Sequence, residues 1–138
     1  MSTTEPYLGS SPERAAPHGC DVFVIEDDDL SLDAISRAIA SFGYSVGAAA
    51  SGEDALSVIA RDDDLPRLIL LDLVMPGMSG ETFIDELRRR PRLAPIPVVL
   101  MSGRSDVASQ AKRLNAAGYL KKPSSLGELR LLAARFVA

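Results

Sequence analysis

Along the 138-residue chain, two kinds of segment take turns. Val22 to Ile25, Ser45 to Ala49, Leu68 to Leu71, Val98 to Met101 and Gly118 to Leu120 are short runs of apolar or small residues, and four of these five lack polar alternation. That is the pattern of parallel strands covered on both faces. The intervening segments carry helical spacing instead. Ile35, Ala38, Ile39 and Phe42 recur at i, i+3, i+4 and i+7, and Leu129, Leu132, Ala133 and Phe136 repeat the spacing near the end of the chain. Each set forms an apolar stripe along one helix face. Shorter stripes at Ala55, Leu56 and Ile59, at Phe83, Ile84 and Leu87, and at Val107, Ala111 and Leu114 predict three further helices.

The boundaries agree with this division. Ser51 with Asp54 and Ser125 with Glu128 have capping-box spacing, in which side chains satisfy the free N–H groups of a first helical turn. Asp28 or Asp29 is placed to cap the first helix ahead of Leu30, and Gly43 to end it. Five strand and helix pairs in this length predict an α/β fold: an open, doubly wound, five-stranded parallel sheet in the flavodoxin-like order 2-1-3-4-5, with helices on both faces. Residues 1–19 contain Pro6, Pro12 and Pro17 and almost no large apolar side chains, so they read as a disordered leader to a domain over residues 20–138.

Composition narrows the class. With 46% hydrophobic and 25% charged residues the chain reads as one ordinary soluble domain. The lone Cys20 has no disulfide partner, and no segment has the length of a membrane span or the order of a signal peptide, so a reduced, cytoplasmic protein without membrane contact is expected. The formal net charge of -4 argues against direct nucleic-acid binding. Yet 15 of the 19 acids lie between Asp21 and Glu86, and 11 of the 15 bases lie from Arg88 onward. The two halves have opposite polarity.

Ligands of open parallel sheets bind outside the carboxyl ends of the strands. There the chain places Glu26-Asp27-Asp28-Asp29 after the first strand, Asp72 after the third, Ser102 after the fourth and Lys121-Lys122 after the fifth. In the order 2-1-3-4-5, Glu26, Asp27 and Asp72 converge on one rim, where they raise one another's pKa values unless a cation sits among them. So dense an oxygen set suits Mg2+. A hydroxyl and an ammonium on neighbouring strands complete the parts for phosphoryl transfer. Asp72 is the best nucleophile, since a rigid apolar strand precedes it and the Met75-Pro76-Gly77 turn follows. Asp27 is expected to bind the metal directly, Glu26 directly or through water, and the Val74 carbonyl to add an oxygen. Asp62-Asp63-Asp64 reads as a solvated run, Lys121 as the solvent-facing member of its pair, and His18 as isolated.

At these residues the sequence resembles the receiver domain of two-component response regulators. Leu71-Asp72-Leu73-Val74-Met75-Pro76-Gly77-Met78-Ser79-Gly80 is similar to the family's phosphoacceptor loop; Glu26-Asp27, Ser102 and Lys122-Pro123 resemble its acidic pair, its hydroxyl residue and its Lys-Pro. The resemblance covers residues 21 to 138 and departs from the pattern at Ser124, where an aromatic residue commonly follows Lys-Pro. It implies that a histidine kinase or histidine phosphotransfer protein passes a phosphoryl group to Asp72, with Mg2+ held by Asp27, Asp72 and the Val74 carbonyl, and with Ser102 and Lys122 holding phosphoryl oxygens. It further implies a Lys122-Pro123 bond that is often cis, and a switch in which Ser102 moves toward the phosphate and Tyr119 swings inward. The face of helix four, strand five and helix five then changes shape for a downstream effector protein or a phosphorylation-dependent dimer. Tyr119 also has a plain reading as a half-buried edge aromatic. Because Arg104, Lys112, Arg113 and Lys121 fall in that region, the partner is expected to present an acidic surface.

The reading is therefore a stand-alone receiver and not an enzyme, beyond Mg2+-dependent self-phosphorylation from phosphodonors and self-dephosphorylation. A phosphorelay intermediate, or a receiver belonging to a larger regulator or hybrid kinase, is the alternative. A phosphatase working through an aspartyl phosphate would want a second carboxylate two residues after the nucleophile, where this chain has Val74.

Overall fold

The computed structural model describes residues 20–137; the leader expected over residues 1–19 lies outside them. The element order is β1 (Val22–Ile25), α1 (Asp29–Ser41), β2 (Val46–Ala49), α2 (Gly52–Arg61), β3 (Leu68–Asp72), α3 (Gly80–Arg88), β4 (Val98–Ser102), α4 (Val107–Arg113), β5 (Gly118–Lys121) and α5 (Leu126–Val137). The strands form one parallel sheet in the order β2-β1-β3-β4-β5. Register places Val22 opposite both Val46 and Leu68, Ile69 opposite Val98, Asp72 opposite Met101, and Val99 opposite Gly118.

The continuous apolar runs have their cause in two cores. Successive strand side chains point to opposite faces. Phe23, Ile25, Ile69, Leu71, Val98 and Leu100 pack with Ala55, Leu56 and Ile59 of α2, Phe83, Ile84 and Leu87 of α3, and Val107 and Ala111 of α4. Val22, Val24, Leu68, Leu70, Val99 and Met101 pack on the opposite face with Ile39 of α1 and Leu129 and Val137 of α5. Burying every residue of β1, β3 and β4 leaves no position there for polar alternation. The strand order runs outward in opposite directions from β1 and from β3, so a crevice opens between them at their carboxyl ends.

The expected caps are present. Asp28 Oδ2 accepts from Ser31 N–H at 2.9 Å, and Ser51 Oγ from Asp54 N–H at 3.1 Å. Ser125 and Glu128 form a full capping box, with backbone to side-chain distances of 2.9 and 3.1 Å. Gly43 follows α1 with φ of +98°, the left-handed geometry that glycine adopts without steric cost. The strands differ from expectation by one residue at several ends. β2 starts at Val46, since Ser45 O receives the N–H groups of both Asp21 and Val22. β3, β4 and β5 run on through Asp72, Ser102 and Lys121 because backbone pairing continues where the apolar run stops: Leu73 N–H donates to Met101 O at 2.9 Å and Lys122 N–H to Ser102 O at 2.8 Å.

Candidate functional site

Because Asp72 and Ser102 are the last residues of strands rather than loop residues, they are buried, at 6% and 2% exposure, and Glu26, directly after β1, is at 1%. These are the buried polar side chains among the described residues, and all lie at one end of the sheet. Glu26, Asp27 and Asp72 each offer a carboxylate oxygen within 4.8 Å of the others. Asp27 is exposed, so the cluster opens to solvent on one side. From β5 the Lys122 ammonium donates to Glu26 Oε1 and stands 3.5 Å from Asp72 Oδ2. Backbone donors hold the remaining oxygens: Asp28 N–H reaches Glu26 Oε2 at 3.2 Å and Val74 N–H reaches Asp72 Oδ1 at 3.2 Å. The Lys122-Pro123 peptide bond is cis.

The electrostatics are uneven. Burial pushes the Asp72 carboxyl up to about 6, and the adjacent Glu26 carboxylate adds to the rise. Burial is the largest influence on Glu26 and acts upward, but the hydrogen bonds from Lys122, Asp72 and the Asp28 N–H together outweigh it and hold Glu26 below the ordinary range. The expectation that the carboxylates raise one another unless a cation sits among them is met on both counts: Asp72 is raised, and Glu26, which holds the Lys122 ammonium, is lowered. For Lys122, the attraction of Glu26 and Asp72 overcomes the cost of burial, so its pKa is raised. The result is a rim with excess negative charge centred on Asp72. A hard divalent cation fits this donor set, since oxygen ligands converge and one of them resists ionising without further positive charge.

The other predicted residues fall around this cluster. Ser102 Oγ accepts from Arg104 N–H at 3.1 Å. Val74 is 55% exposed beside the cluster, and Tyr119 is 49% exposed on β5, its ring outward. Lys121 is exposed, as expected. The basic face is less free than its sequence implies. Arg104 is paired with Asp106 at 2.8 Å and Arg113 with Glu81 at 2.9 Å, while Lys112 and Lys121 make no ion pair among the described residues. Sequence reasoning passed over Glu81 and Arg88, which reach α4 from α3. Arg88 donates to the carbonyls of Leu114 and Asn115 at 3.4 and 3.0 Å, and no motif announces an arginine aimed at backbone.

A family model of the response regulator receiver domain matches residues 22–134. The chain belongs to the response regulator receiver family. Receiver domains are signalling modules that act between histidine kinases and effectors and bind Mg2+ at an acidic pocket. The receiver is 36% identical over 105 residues to Response regulator PleD of Caulobacter vibrioides, which covers 74% of this chain and 22% of PleD. It superposes on the receiver domain of NtrX from Brucella abortus with a TM-score of 0.75 and 28% identity, over 85% of this chain and 98% of that one. The receiver domain of the sensor histidine kinase PA1611 from Pseudomonas aeruginosa, which has a magnesium ion coordinated in its active site cleft, shares the fold with a TM-score of 0.75 and 22% identity, over 86% and 98% of the two chains. The receiver spans less than half the length of the curated relatives it matches. Among its described residues no helix is long and apolar enough to cross a membrane.

Proposed function

We propose that this receiver accepts a phosphoryl group on Asp72 from a phosphohistidine of a histidine kinase or phosphotransfer protein, and signals through the surface of α4, β5 and α5. The observation that carries the reading is the meeting of Glu26, Asp27 and Asp72 with Lys122 at the carboxyl ends of β1, β3 and β5. Asp27 and Asp72, the Val74 carbonyl and Glu26, directly or through water, would hold Mg2+. When bound, that ion supplies positive charge shared between carboxylate and phosphoryl oxygens. The chain's own residues do the rest. Val74 N–H fixes one Asp72 oxygen, leaving Oδ2 turned toward Lys122 as the attacking atom. As the phosphorus to imidazole bond breaks and the bond to Oδ2 forms, the leaving imidazole carries off the electron pair. Lys122 and Ser102 then serve as donors to the phosphoryl oxygens.

Lys122 is anchored by Glu26, so it offers a fixed charge and not a mobile one, and little reorganisation accompanies the reaction. The outward Tyr119 and the Ser102 hydroxyl are the two switch positions: both lie on strands bordering α4, and their rearrangement would alter the face on which Lys112 and Lys121 remain free for an acidic partner. The test uses acetyl phosphate with Mg2+ as phosphodonor. One acyl phosphate per chain is expected on the wild-type protein and none on Asp72→Asn; full labelling of that variant would refute the assignment.

A further inference from the structure

The polar side chains along α4 form one continuous chain of hydrogen bonds. It begins at the site, where Arg104 N–H donates to the buried Ser102 Oγ at 3.1 Å. The Arg104 guanidinium is forked onto Asp106, with Nε to Oδ1 at 3.0 Å and Nη2 to Oδ2 at 2.8 Å. Asp106 Oδ2 also accepts from Gln110 Nε2 at 3.3 Å, and Gln110 Oε1 accepts from Arg113 Nε and Nη2 at 3.0 and 2.6 Å. Arg113 in turn forks onto Glu81, at 3.2 and 2.9 Å, in the first turn of α3. The chain thus runs from the end of β4 to the helix that follows Asp72. Its first end, Ser102, belongs to the site, and its last, Glu81, stands on the helix that follows Asp72.

Apolar contact fixes α4 only lightly, with Arg88 holding its exit through the Leu114 and Asn115 carbonyls. The helix has seven residues, buries only Val107 and Ala111, and its N-cap Asp106 makes no bond to the helix backbone with its side chain. That carboxylate is occupied by Arg104 instead. Isolated exposed ion pairs contribute little to stability, but forked guanidinium pairs joined into a network are the exception. Whatever holds the resting arrangement lowers phosphorylation by its own differential free energy.

We infer that the Glu81-Arg113-Gln110-Asp106-Arg104 chain is a latch on the resting arrangement of α4, holding Arg104 N–H on Ser102 Oγ and slowing capture of a phosphoryl group. This rests on the proposed acceptor role of Asp72. A phosphoryl oxygen there offers the Ser102 hydroxyl an acceptor, and turning toward it draws on the first link of the chain. The latch needs no partner, so it sets the sensitivity of the receiver before any kinase arrives.

Glu81→Ala and Gln110→Ala break the chain at its end and its middle without touching Asp72, Ser102 or Lys122. Gln110→Ala leaves net charge unchanged and raises helix propensity, so faster opening in that variant has no cause in charge or propensity. Hydrogen exchange of the α4 amides, without phosphodonor, is expected to quicken about three- to tenfold in both variants, and labelling by acetyl phosphate with Mg2+ about threefold. Unchanged exchange in both single variants overturns the latch, and so does faster exchange with unchanged labelling. Absence of labelling in the wild-type protein would strike the acceptor role of Asp72 instead, and the latch on α4 then stands or falls by the exchange rates.

Discussion

The two strand and helix units that carry Asp72 and Ser102 are built to different standards. In the β3–α3 unit, Ser79 caps the helix by accepting from Thr82 N–H at 3.1 Å, and Gly80, Phe83, Ile84 and Leu87 are buried. Gly80 N–H returns to Leu73 O, and a side chain at Gly80 would meet that oxygen at 3.0 Å, so α3 sits against the loop that follows Asp72. In the β4–α4 unit the helix is shorter, its cap residue is diverted to Arg104, and two residues are buried along its length. Apolar contact holds α3, and a polar chain supplements what apolar contact gives α4. One side of the rim is a floor set in the core; the other is a wall with fewer apolar anchors. Under the proposed acceptor role of Asp72, the site needs both: a nucleophile held still and a neighbour that reports its modification.

Side-chain truncation gives the largest test of that contrast. Phe83 is fully buried, and Phe83→Ala is expected to cost about 3–5 kcal/mol of unfolding free energy. Val107→Ala, the truncation of the largest side chain α4 buries, removes far less and is expected to cost about 1–2 kcal/mol. Urea denaturation measures both. Equal losses would mean that α4 is as deeply anchored as α3, and the contrast would fail.

Much of this was legible beforehand, for physical reasons that differ by element. Apolar runs such as Leu68 to Leu71 reveal buried parallel strands because every side chain there faces a core, and the stripe at Phe83, Ile84 and Leu87 reveals the buried face of α3. Site residues were legible because strand ends gather them: once β1 and β3 are neighbours, Glu26, Asp27 and Asp72 have one place to meet. What stayed hidden depends on long side chains bridging elements. Arg113 reaches Glu81 across 32 positions of sequence, and Lys122 reaches Glu26 across 96; the second came within reach of motif reasoning, the first did not. The division of charge was hidden too. Sequence placed three carboxylates together, but only burial and the Lys122 ammonium decide that Asp72 is raised while Glu26 is lowered.

That raised carboxyl is a load on the β3–α3 unit, and its removal is the next test. The folded value of about 6 stands above an ordinary 3.8, so between those pH values the native state binds more protons than the unfolded chain. Stability therefore falls as pH rises through that window and stays lowered above it. Asp72→Asn is expected to stabilise the protein in chelator at pH 7.5 by about 1–3 kcal/mol, and to make little difference at pH 4. Denaturation at the two pH values reads the difference. Equal gains at both would mean that the gain comes from packing and not from charge.

The smallest effect concerns how the two helices end. α3 leaves through Arg89 in ordinary right-handed geometry, whereas α4 leaves through Asn115 at φ of +55°, with the Asn115 carbonyl gripped by Arg88 of α3. Asparagine tolerates that left-handed conformation, glycine adopts it freely, and alanine pays the full steric cost. Asn115→Gly should shift stability by less than about 0.5 kcal/mol, since relief of strain is offset by the greater freedom of glycine in the unfolded chain. Asn115→Ala should lose about 1 kcal/mol. Because the conformation acts at the exit of α4, hydrogen exchange in Asn115→Ala should quicken for the last turn of α4 while the amides of α3 keep their wild-type rates. Exchange rising equally in both helices would show that Arg88 binds them into a single unit, and α4 would then have no independent motion for a latch to restrain.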